Sequence, residues 1–129
     1  MLIDSSISTP LSDILIRIRP LLEEIGDIKV AKIVLLQQEA LEHSNDINQE
    51  GFIPVIVHND LDIQFALEAM ELIYNEKIQI LALATENEKL LPLLSRAREI
   101  GKEVILLHSS NHVNRGLQNA ADIVLPMSL

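Results

Sequence analysis

Residues 78–90 of the chain, IQILALATENEKL, contain the end of one secondary-structure element and the start of the next. The first seven, Ile78 to Ala84, form an apolar run typical of a buried β-strand. Apolar residues then recur at helical spacing, at Leu90, Leu91, Leu93, Leu94 and Ala97. The polar turn Thr85 to Lys89 therefore joins a strand to a helix. Open α/β proteins bind their ligands at such turns, beyond the carboxyl ends of the strands.

The alternation of strand and helix continues on both sides of this turn. We predict strands at Met1 to Asp4, Lys29 to Leu36, Ile53 to Val57, Ile78 to Ala84, Val104 to Leu107 and Ile123 to Leu125. We predict helices from Pro10 to Ile25, with a kink or break at Pro20, and at Glu39 to Glu50, Asp60 or Asp62 to Asn75, Asn87 to Ile100 and Val113 to Asn119. Continuous apolar runs indicate strands covered on both faces, which predicts an α/β fold with a mostly parallel sheet of five or six strands between helix layers.

Composition bounds the class of protein. The 129 residues are 48% hydrophobic, which excludes a disordered chain and predicts a single domain over residues 1–129. The chain has no cysteine, and no segment resembles a membrane span or a secretory leader, so we predict a cytoplasmic protein without a membrane partner. The net charge of -9 gives no basic surplus for nucleic acid. We interpret the cations at Lys89, Arg96, Arg98 and Lys102 as a solvated helix face.

Three segments together resemble the NYN domain, the LabA-like branch of the PIN-like nuclease superfamily. The family typically reads Asp-Val-x-Leu-Ala-x-Asp-Ala-Met on a helix, then a strand ending Thr-Gly-Asp-Gly-Asp-Phe, then a helix ending Gly-Lys-x-Val. Here the corresponding segments are Asp62 to Tyr74, Ile78 to Thr85 and Leu91 to Val104. The resemblance extends through Leu117 to Asp122 and implies a three-layer, PIN-like or Rossmann-like domain with the short first strand in the middle of the sheet.

The resemblance also implies where a nuclease centre would lie. The family's first-strand acid corresponds to Asp4, its helix-start acid to Asp62 and a later acid of that helix to Glu68. PIN-type nucleases gather carboxylates around one or two divalent cations that activate water.

Three family positions are altered in this chain. The two turn aspartates correspond to Asn87 and Lys89, and a polar position near the first acid corresponds to Ile7. Magnesium needs oxygen ligands, and a lysine beside the site repels the metal. We therefore expect a degenerate centre with no cofactor, in which Asp4, Asp62 and Asn87 bind metal weakly if at all.

The sequence is consistent with three functions. The first is a catalytically silent interaction or regulatory module related to RNA metabolism. The second is a divergent ribonuclease that uses Mg²⁺ or Mn²⁺ with Asp4, Asp62 and either Glu86 or Glu88. The third is a small-ligand or RNA binder that uses the same crevice without cleavage. RNA or another protein is therefore a candidate partner.

A homodimer is predicted from the first helix. Its apolar residues are too many for one narrow buried stripe: Ile14, Leu15, Ile16, Ile18 and Leu22. A wide core-facing helix is the competing explanation.

Polar residues follow four predicted strands and are expected to meet in one crevice. They are Asp4, Ser5 and Ser6; His58, Asn59, Asp60 and Asp62; Thr85 to Glu88; and His108 to His112. We interpret Asp60 and Thr85 mainly as helix caps. The His108 and His112 pair has no intervening Glu and does not predict a zinc site.

Overall fold

The computed structural model describes residues 1–5, 11–108 and 115–127, in which parallel strands alternate with helices. The strands are β1 (Leu2–Asp4), β2 (Lys32–Leu36), β3 (Ile53–Val57), β4 (Ile80–Ala84), β5 (Glu103–His108) and β6 (Ile123–Pro126). The helices are α1 (Leu11–Glu23), α2 (Gln37–Gln49), α3 (Leu61–Ile73), α4 (Leu91–Ile100) and α5 (Arg115–Ala120), and a 3-10 turn, Glu88–Leu90, precedes α4. None of the helices in these ranges is long and apolar enough to cross a membrane.

The strands form one six-stranded sheet in the order β3-β2-β1-β4-β5-β6, and every neighbouring pair is parallel. The predicted α/β fold class is confirmed, and so is the central place of the short first strand, since Leu2 pairs with Lys32 on one side and with Leu83 on the other. The strand order reverses between β1 and β4. In open α/β sheets the ligand crevice lies at such a reversal, beyond the carboxyl ends of the two strands.

Apolar side chains fill both spaces between the sheet and its helices. The helices α1 and α2 pack on one face, where Ile3, Ile33 and Leu35 are buried. On the other face α3, α4 and α5 pack against side chains that include Leu83 and Leu106. Both faces of the central strands are thus covered, as their continuous apolar runs predict.

Several predicted boundaries were wrong by two or three residues. β2 begins at Lys32 rather than Lys29, and β4 begins at Ile80 rather than Ile78. The amide of Ile78 donates to Asn75 O in a turn, so it is not available to a strand there. The helix predicted to begin at Asn87 begins as the 3-10 turn, and α2 begins at Gln37 rather than Glu39. The predicted helix starts at Pro10 and Val113 lie outside the described residues.

Pro20 does not split α1, contrary to the predicted break. It lies within the continuous helix Leu11–Glu23. Proline cannot donate to the carbonyl four residues earlier, which is that of Ile16. Both Pro20 and Ile16 are exposed, so water can reach the carbonyl that the proline leaves without a helical donor.

The apolar residues of α1 do not form an exposed face. Ile14, Leu15, Ile18 and Leu22 are buried in the core, and Ile16 alone among the five is exposed. The explanation by a wide core-facing helix is therefore the correct one. The structure removes the basis on which a homodimer was predicted, while the prediction of a homodimer itself remains untested.

Candidate functional site

A buried hydrogen bond joins the two strands at the reversal of the sheet. Asp4 ends β1 and is only 1% exposed, and Thr85 directly follows β4 with the same exposure. Thr85 Oγ1 donates to Asp4 Oδ2 over 3.3 Å, across 81 residues of sequence. The crevice expected beyond these strand ends therefore has a carboxylate held by a hydroxyl at its floor.

The turn after β4 is organised by side chains that accept hydrogen bonds from its backbone. Asn87 N donates to Thr85 Oγ1 over 3.1 Å, and Lys89 N donates to Asn87 Oδ1 over 3.0 Å. Thr85 is thus a turn former and a contact of Asp4, whereas the predicted role of Thr85 as a helix cap was wrong. Asn87 caps the 3-10 turn, since its side-chain oxygen accepts a backbone N–H at the start of that turn.

The remaining turn residues differ in exposure. Glu86 is half-buried, whereas Glu88 and Lys89 are exposed at the start of the 3-10 turn. All three follow the carboxyl end of β4, so they lie at the same edge of the sheet as Asp4. His108 ends β5 at this edge too, and His112 lies outside the described residues.

Glu39 is an additional carboxylate at this edge, and sequence reasoning missed it. It lies in the first turn of α2, directly after β2. Ser5 Oγ donates to Glu39 Oε1 over 3.0 Å, and Leu36 N donates to the same oxygen over 3.3 Å. The available signal was its place three residues after the last strand residue, where a glutamate can accept the N-cap amide. The contact brings Glu39 next to the residue that follows Asp4.

Asp62 lies in the first turn of α3, which follows the carboxyl end of β3. It is half-buried, and helical spacing puts it on the same side of α3 as Ala66 and Met70, which pack on the core. Its carboxylate makes no hydrogen bond or ion pair with the residues that the structure describes. Asp60, two residues before Asp62, has a φ of 22° and its side chain forms no capping hydrogen bond, so the predicted capping role of Asp60 was wrong.

Glu68 belongs to the opposite end of the sheet. Its carboxylate is 2.9 Å from Lys32 Nζ, at the first residue of β2, and it also accepts from Gln64 Nε2 over 3.3 Å. A carboxylate paired with a lysine in this way is neutralised locally. The family position that corresponds to Glu68 is therefore not part of the crevice.

The described residues do not fit the metal site of a PIN-type nuclease. Among residues 1–5, 11–108 and 115–127, no group of three or more His, Asp or Glu side chains is close enough to hold a metal ion. Asp4 and Glu39 are each contacted by a hydroxyl donor, and Asn87 presents an amide where the family has a carboxylate.

The cations on α4 are largely engaged within the protein. Arg96 Nε donates to Tyr74 Oη over 3.1 Å, and Arg98 Nε is 3.5 Å from Asp122. Lys102 Nζ donates to the backbone carbonyls of Asn75 and Ile78. These contacts favour the interpretation of the cations as a solvated helix face over a nucleic-acid surface.

Comparisons with known proteins identify the family and the fold. A model of the NYN domain matches residues 7–128. An uncharacterized protein of Methanocaldococcus jannaschii, MJ0482, is 34% identical over 109 residues, which are 84% of this chain and 45% of the archaeal protein. The crystal structure of a protein of unknown function from Vibrio parahaemolyticus, VPA0982, has a similar fold, with a TM-score of 0.79 and 11% identity over 98% of this chain and 91% of that one.

The fold and the sequence lead to the same family. The Vibrio structure supports the six-stranded, three-layer fold alone, because its sequence identity is low. The chain spans less than half the length of the archaeal relative, so the activity of that whole protein does not transfer to it. The family model covers nearly the whole chain. By that match, the protein belongs to the NYN domain family.

Proposed function

We propose that this protein is a catalytically degenerate NYN domain that acts as an interaction or regulatory module in RNA metabolism. The observation that carries the proposal is the turn after β4. At the two positions where the family has aspartates, this chain has Asn87, whose side-chain oxygen caps the turn, and an exposed Lys89. A nuclease of this class depends on carboxylates at these positions.

The replacement acts on metal affinity in two ways. An amide oxygen is a neutral ligand, so Asn87 attracts a divalent cation less strongly than a carboxylate does. The ammonium of Lys89 adds a positive charge beside the site and repels the cation. Asp4 and Asp62 alone supply too few carboxylates for a site that must also activate water.

The biological setting of the module is part of the proposal. The link to RNA metabolism is supported by membership of a nuclease-like superfamily, and the net charge of -9 favours a protein partner over direct RNA contact. Because the turn after β4 has lost two carboxylates, we also propose that the protein acts without a metal cofactor. The cytoplasmic location stays a prediction from the sequence.

A second function has one specific observation in its favour. Glu39 lies at the carboxyl edge of the sheet, and its Oε1 is 3.0 Å from the hydroxyl of Ser5, the neighbour of Asp4. This acid adds to the set of Asp4, Asp62 and Glu86 or Glu88 from which a divergent Mg²⁺- or Mn²⁺-dependent ribonuclease could draw its ligands. Because Glu39 is an additional carboxylate at this edge, RNA hydrolysis is the alternative function to the silent module.

Cleavage assays distinguish the two functions. Purified protein is incubated with single-stranded and structured RNA in Mg²⁺ or Mn²⁺, and cation binding is measured by calorimetry. The silent module predicts no cleavage above a mock preparation and weak cation binding. It also predicts that the double variant Asn87→Asp, Lys89→Asp binds cations more tightly than the wild type.

Matched variants give the assay its control. Robust cleavage that Asp4→Asn or Asp62→Asn abolishes, and that Glu76→Gln leaves intact, would overturn the silent module. Glu76 is an exposed acid between α3 and β4, at the amino end of the sheet, so its loss changes the net charge without touching the crevice. In that event Glu39→Gln identifies whether the additional acid takes part.

A further inference from the structure

β3 is an edge strand with an apolar surface. It is the first strand in the sheet order, so only one of its sides pairs with β2. Its five residues, Ile53-Pro-Val-Ile-Val57, include no charged side chain, and Ile53 and Ile56 are 54% and 50% exposed. Natural proteins usually place charges on such strands, because an open edge is a template for pairing with another strand.

The backbone groups on the open side can be assigned from one hydrogen bond. Ile53 N donates to Ala31 O over 2.8 Å, on the side of β2. Successive residues of a parallel strand point their backbone groups to alternate sides, so Pro54 and Ile56 face the open side. Pro54 has no N–H and leaves only a carbonyl there, as expected of proline on an edge strand. Ile56 leaves both an N–H and a C=O.

These open groups are complementary to themselves. If β3 meets an antiparallel copy of itself with Ile56 opposite Ile56, each Ile56 N–H reaches the carbonyl of the other in a hydrogen-bonded pair. Pro54 then lies opposite His58 of the second copy, where its carbonyl accepts the histidine amide and its missing N–H removes only the return bond. In a register with Val57 opposite Val57, Ile56 of each copy would pair with His58 of the other copy. The hydrogen bonds of Ile56 would then depend on His58, which lies beyond the end of β3.

The helix α2 lies beside the open edge of β3, and one of its sides, which carries no charged residue, faces the same direction as that edge. Glu39 lies on the side of α2 toward the centre of the sheet, because its carboxylate accepts from Ser5, which follows β1. On the same side, the backbone carbonyl of Glu50, the C-cap of α2, accepts from Arg19 of α1. The side away from α1 holds uncharged, exposed residues at helical spacing, which are Gln37, Leu41, Ser44 and Asn48. Leu41 is 74% exposed at the centre of this row.

The distribution of charge permits a second copy to approach at this surface. Two copies of a chain with a net charge of -9 repel each other over most of their surfaces. The open edge of β3 and the outer row of α2 form one neutral, partly apolar zone on which two copies can approach. An isologous interface about a two-fold axis is the common arrangement of homodimers, and it needs a self-complementary surface of this kind.

We propose that β3 pairs antiparallel with β3 of a second copy of this chain, about a two-fold axis through Ile56, and joins the two sheets into one continuous sheet. The α2 helices of the two copies then flank the axis on one face, with their Leu41 side chains beside it. This interface is independent of the crevice at β1 and β4, so it stands whether or not that crevice cleaves RNA.

Cysteine crosslinking tests the register, because the native chain contains no cysteine. In the proposed dimer the two Ile56 Cα atoms are about 5.5 Å apart, within the range that a disulfide can span. Ile56→Cys is therefore expected to form a covalent dimer on mild oxidation or with a short bifunctional thiol reagent. Leu67→Cys is the matched control, because Leu67 is 59% exposed on the outer face of α3. Equal crosslinking of the two variants would overturn the proposed register.

Light scattering at high micromolar concentration tests the interface itself. The wild type is expected to have the mass of a dimer, Ile56→Lys that of a monomer, and Leu67→Lys that of a dimer. Circular dichroism checks that Ile56→Lys is folded, and Leu41→Glu gives a second disruption that leaves the strand unchanged. A monomeric wild type overturns the proposal, as does a dimer that survives both Ile56→Lys and Leu41→Glu.

Discussion

The two ends of the parallel sheet hold their carboxylates in different ways. At the amino end, Glu68 is paired with Lys32 over 2.9 Å, and both side chains are largely buried. The ammonium of Lys102 at this end is bound to the carbonyls that follow α3. These two cations, Lys32 and Lys102, both meet fixed acceptors, so their charges serve the stability of the fold.

At the carboxyl end, two acids accept hydrogen bonds from hydroxyl groups. Asp4 accepts from the hydroxyl of Thr85, and Glu39 accepts from the hydroxyl of Ser5. A hydroxyl stabilises a carboxylate without cancelling its charge, whereas a lysine cancels it. The comparison indicates a structural role for the Lys32–Glu68 pair, whereas Asp4 and Glu39 are hydrogen-bonded to hydroxyls at the edge of the sheet where the crevice lies.

The largest expected effect breaks the ion pair at the amino end. Lys32→Met leaves Glu68 without its cation at a side chain that is only 12% exposed, and we expect a loss of about 2 to 3 kcal/mol of unfolding free energy. Adding Glu68→Met should recover most of that loss, because the pair is then replaced by apolar side chains. Urea denaturation measures both variants.

A surface pair provides the control for this experiment. Arg96→Met removes the exposed contacts of Arg96 with Glu99 and Tyr74 and should lower the free energy of unfolding much less than Lys32→Met does. If Lys32→Met lowers the free energy of unfolding by no more than Arg96→Met does, the buried ion pair at the amino end does not have the structural role assigned to it.

The next effect is a pH dependence at the amino end. Burial, with a smaller contribution from Arg19, lowers the pKa of the Met1 amino group from 8.0 to about 6. Between pH 8 and 6 the unfolded chain then binds more protons than the folded chain. The free energy of unfolding should therefore be highest above pH 8 and fall by about 2 kcal/mol as the pH drops from 8 to 6. Denaturation of the 129-residue chain across this range measures the change.

Acetylation of the Met1 amino group separates this effect from the histidines. The acetylated chain keeps all four histidines but has no titrating amine, so its stability should depend less on pH between 6 and 8. Identical pH profiles for the two forms would contradict the assignment to the amine.

A smaller effect is expected at the carboxyl end. Thr85→Val removes the hydroxyl that donates to Asp4 and accepts from Asn87 N, and it should cost about 1 to 2 kcal/mol. Thr85→Ser keeps the hydroxyl and is the matched control, with a smaller loss from the missing methyl group. A loss for Thr85→Val that is no larger than the loss for Thr85→Ser would show that the two hydrogen bonds of the hydroxyl contribute no more to stability than one methyl group.

The smallest effect concerns the turn itself. Asn87→Ala removes the cap of the 3-10 turn and should cost about 1 kcal/mol, whereas Asn87→Asp should be within about 0.5 kcal/mol of the wild type, because aspartate caps as well as asparagine. Thermal unfolding measures both. A large loss for Asn87→Asp would show that an acid at this position is incompatible with its surroundings.

Most of the fold could be predicted from the sequence because its signals are local. The apolar run that ends at Ala84 and the helical spacing that follows it need no knowledge of tertiary contacts. The family resemblance added the place of β1 in the middle of the sheet. Boundaries such as the start of β2 at Lys32 depend on which backbone groups find partners across the sheet, and the sequence does not contain that information.

The candidate site was less predictable than the fold. The adjacency of Asp4 and Thr85 follows from the strand order, so it could be inferred once a parallel sheet was predicted. Glu39 lies in a segment whose sequence is typical of an ordinary polar helix. Its place at the site depends on a contact with Ser5, which no local sequence pattern encodes. Glu68 was misplaced because its position along α3, rather than its residue type, brings it to Lys32.

The position of β1 has a consequence for the order in which the chain folds. Only three residues long, β1 must pair with β4, which lies about eighty residues later, before the crevice exists. Closing so long a loop is slow, so sheet pairing within residues 32–57 and 80–126 is expected to precede insertion of the amino-terminal strand. The bond between Asp4 and Thr85 then forms last, and protection of β1 amides against hydrogen exchange would report completion of the native state.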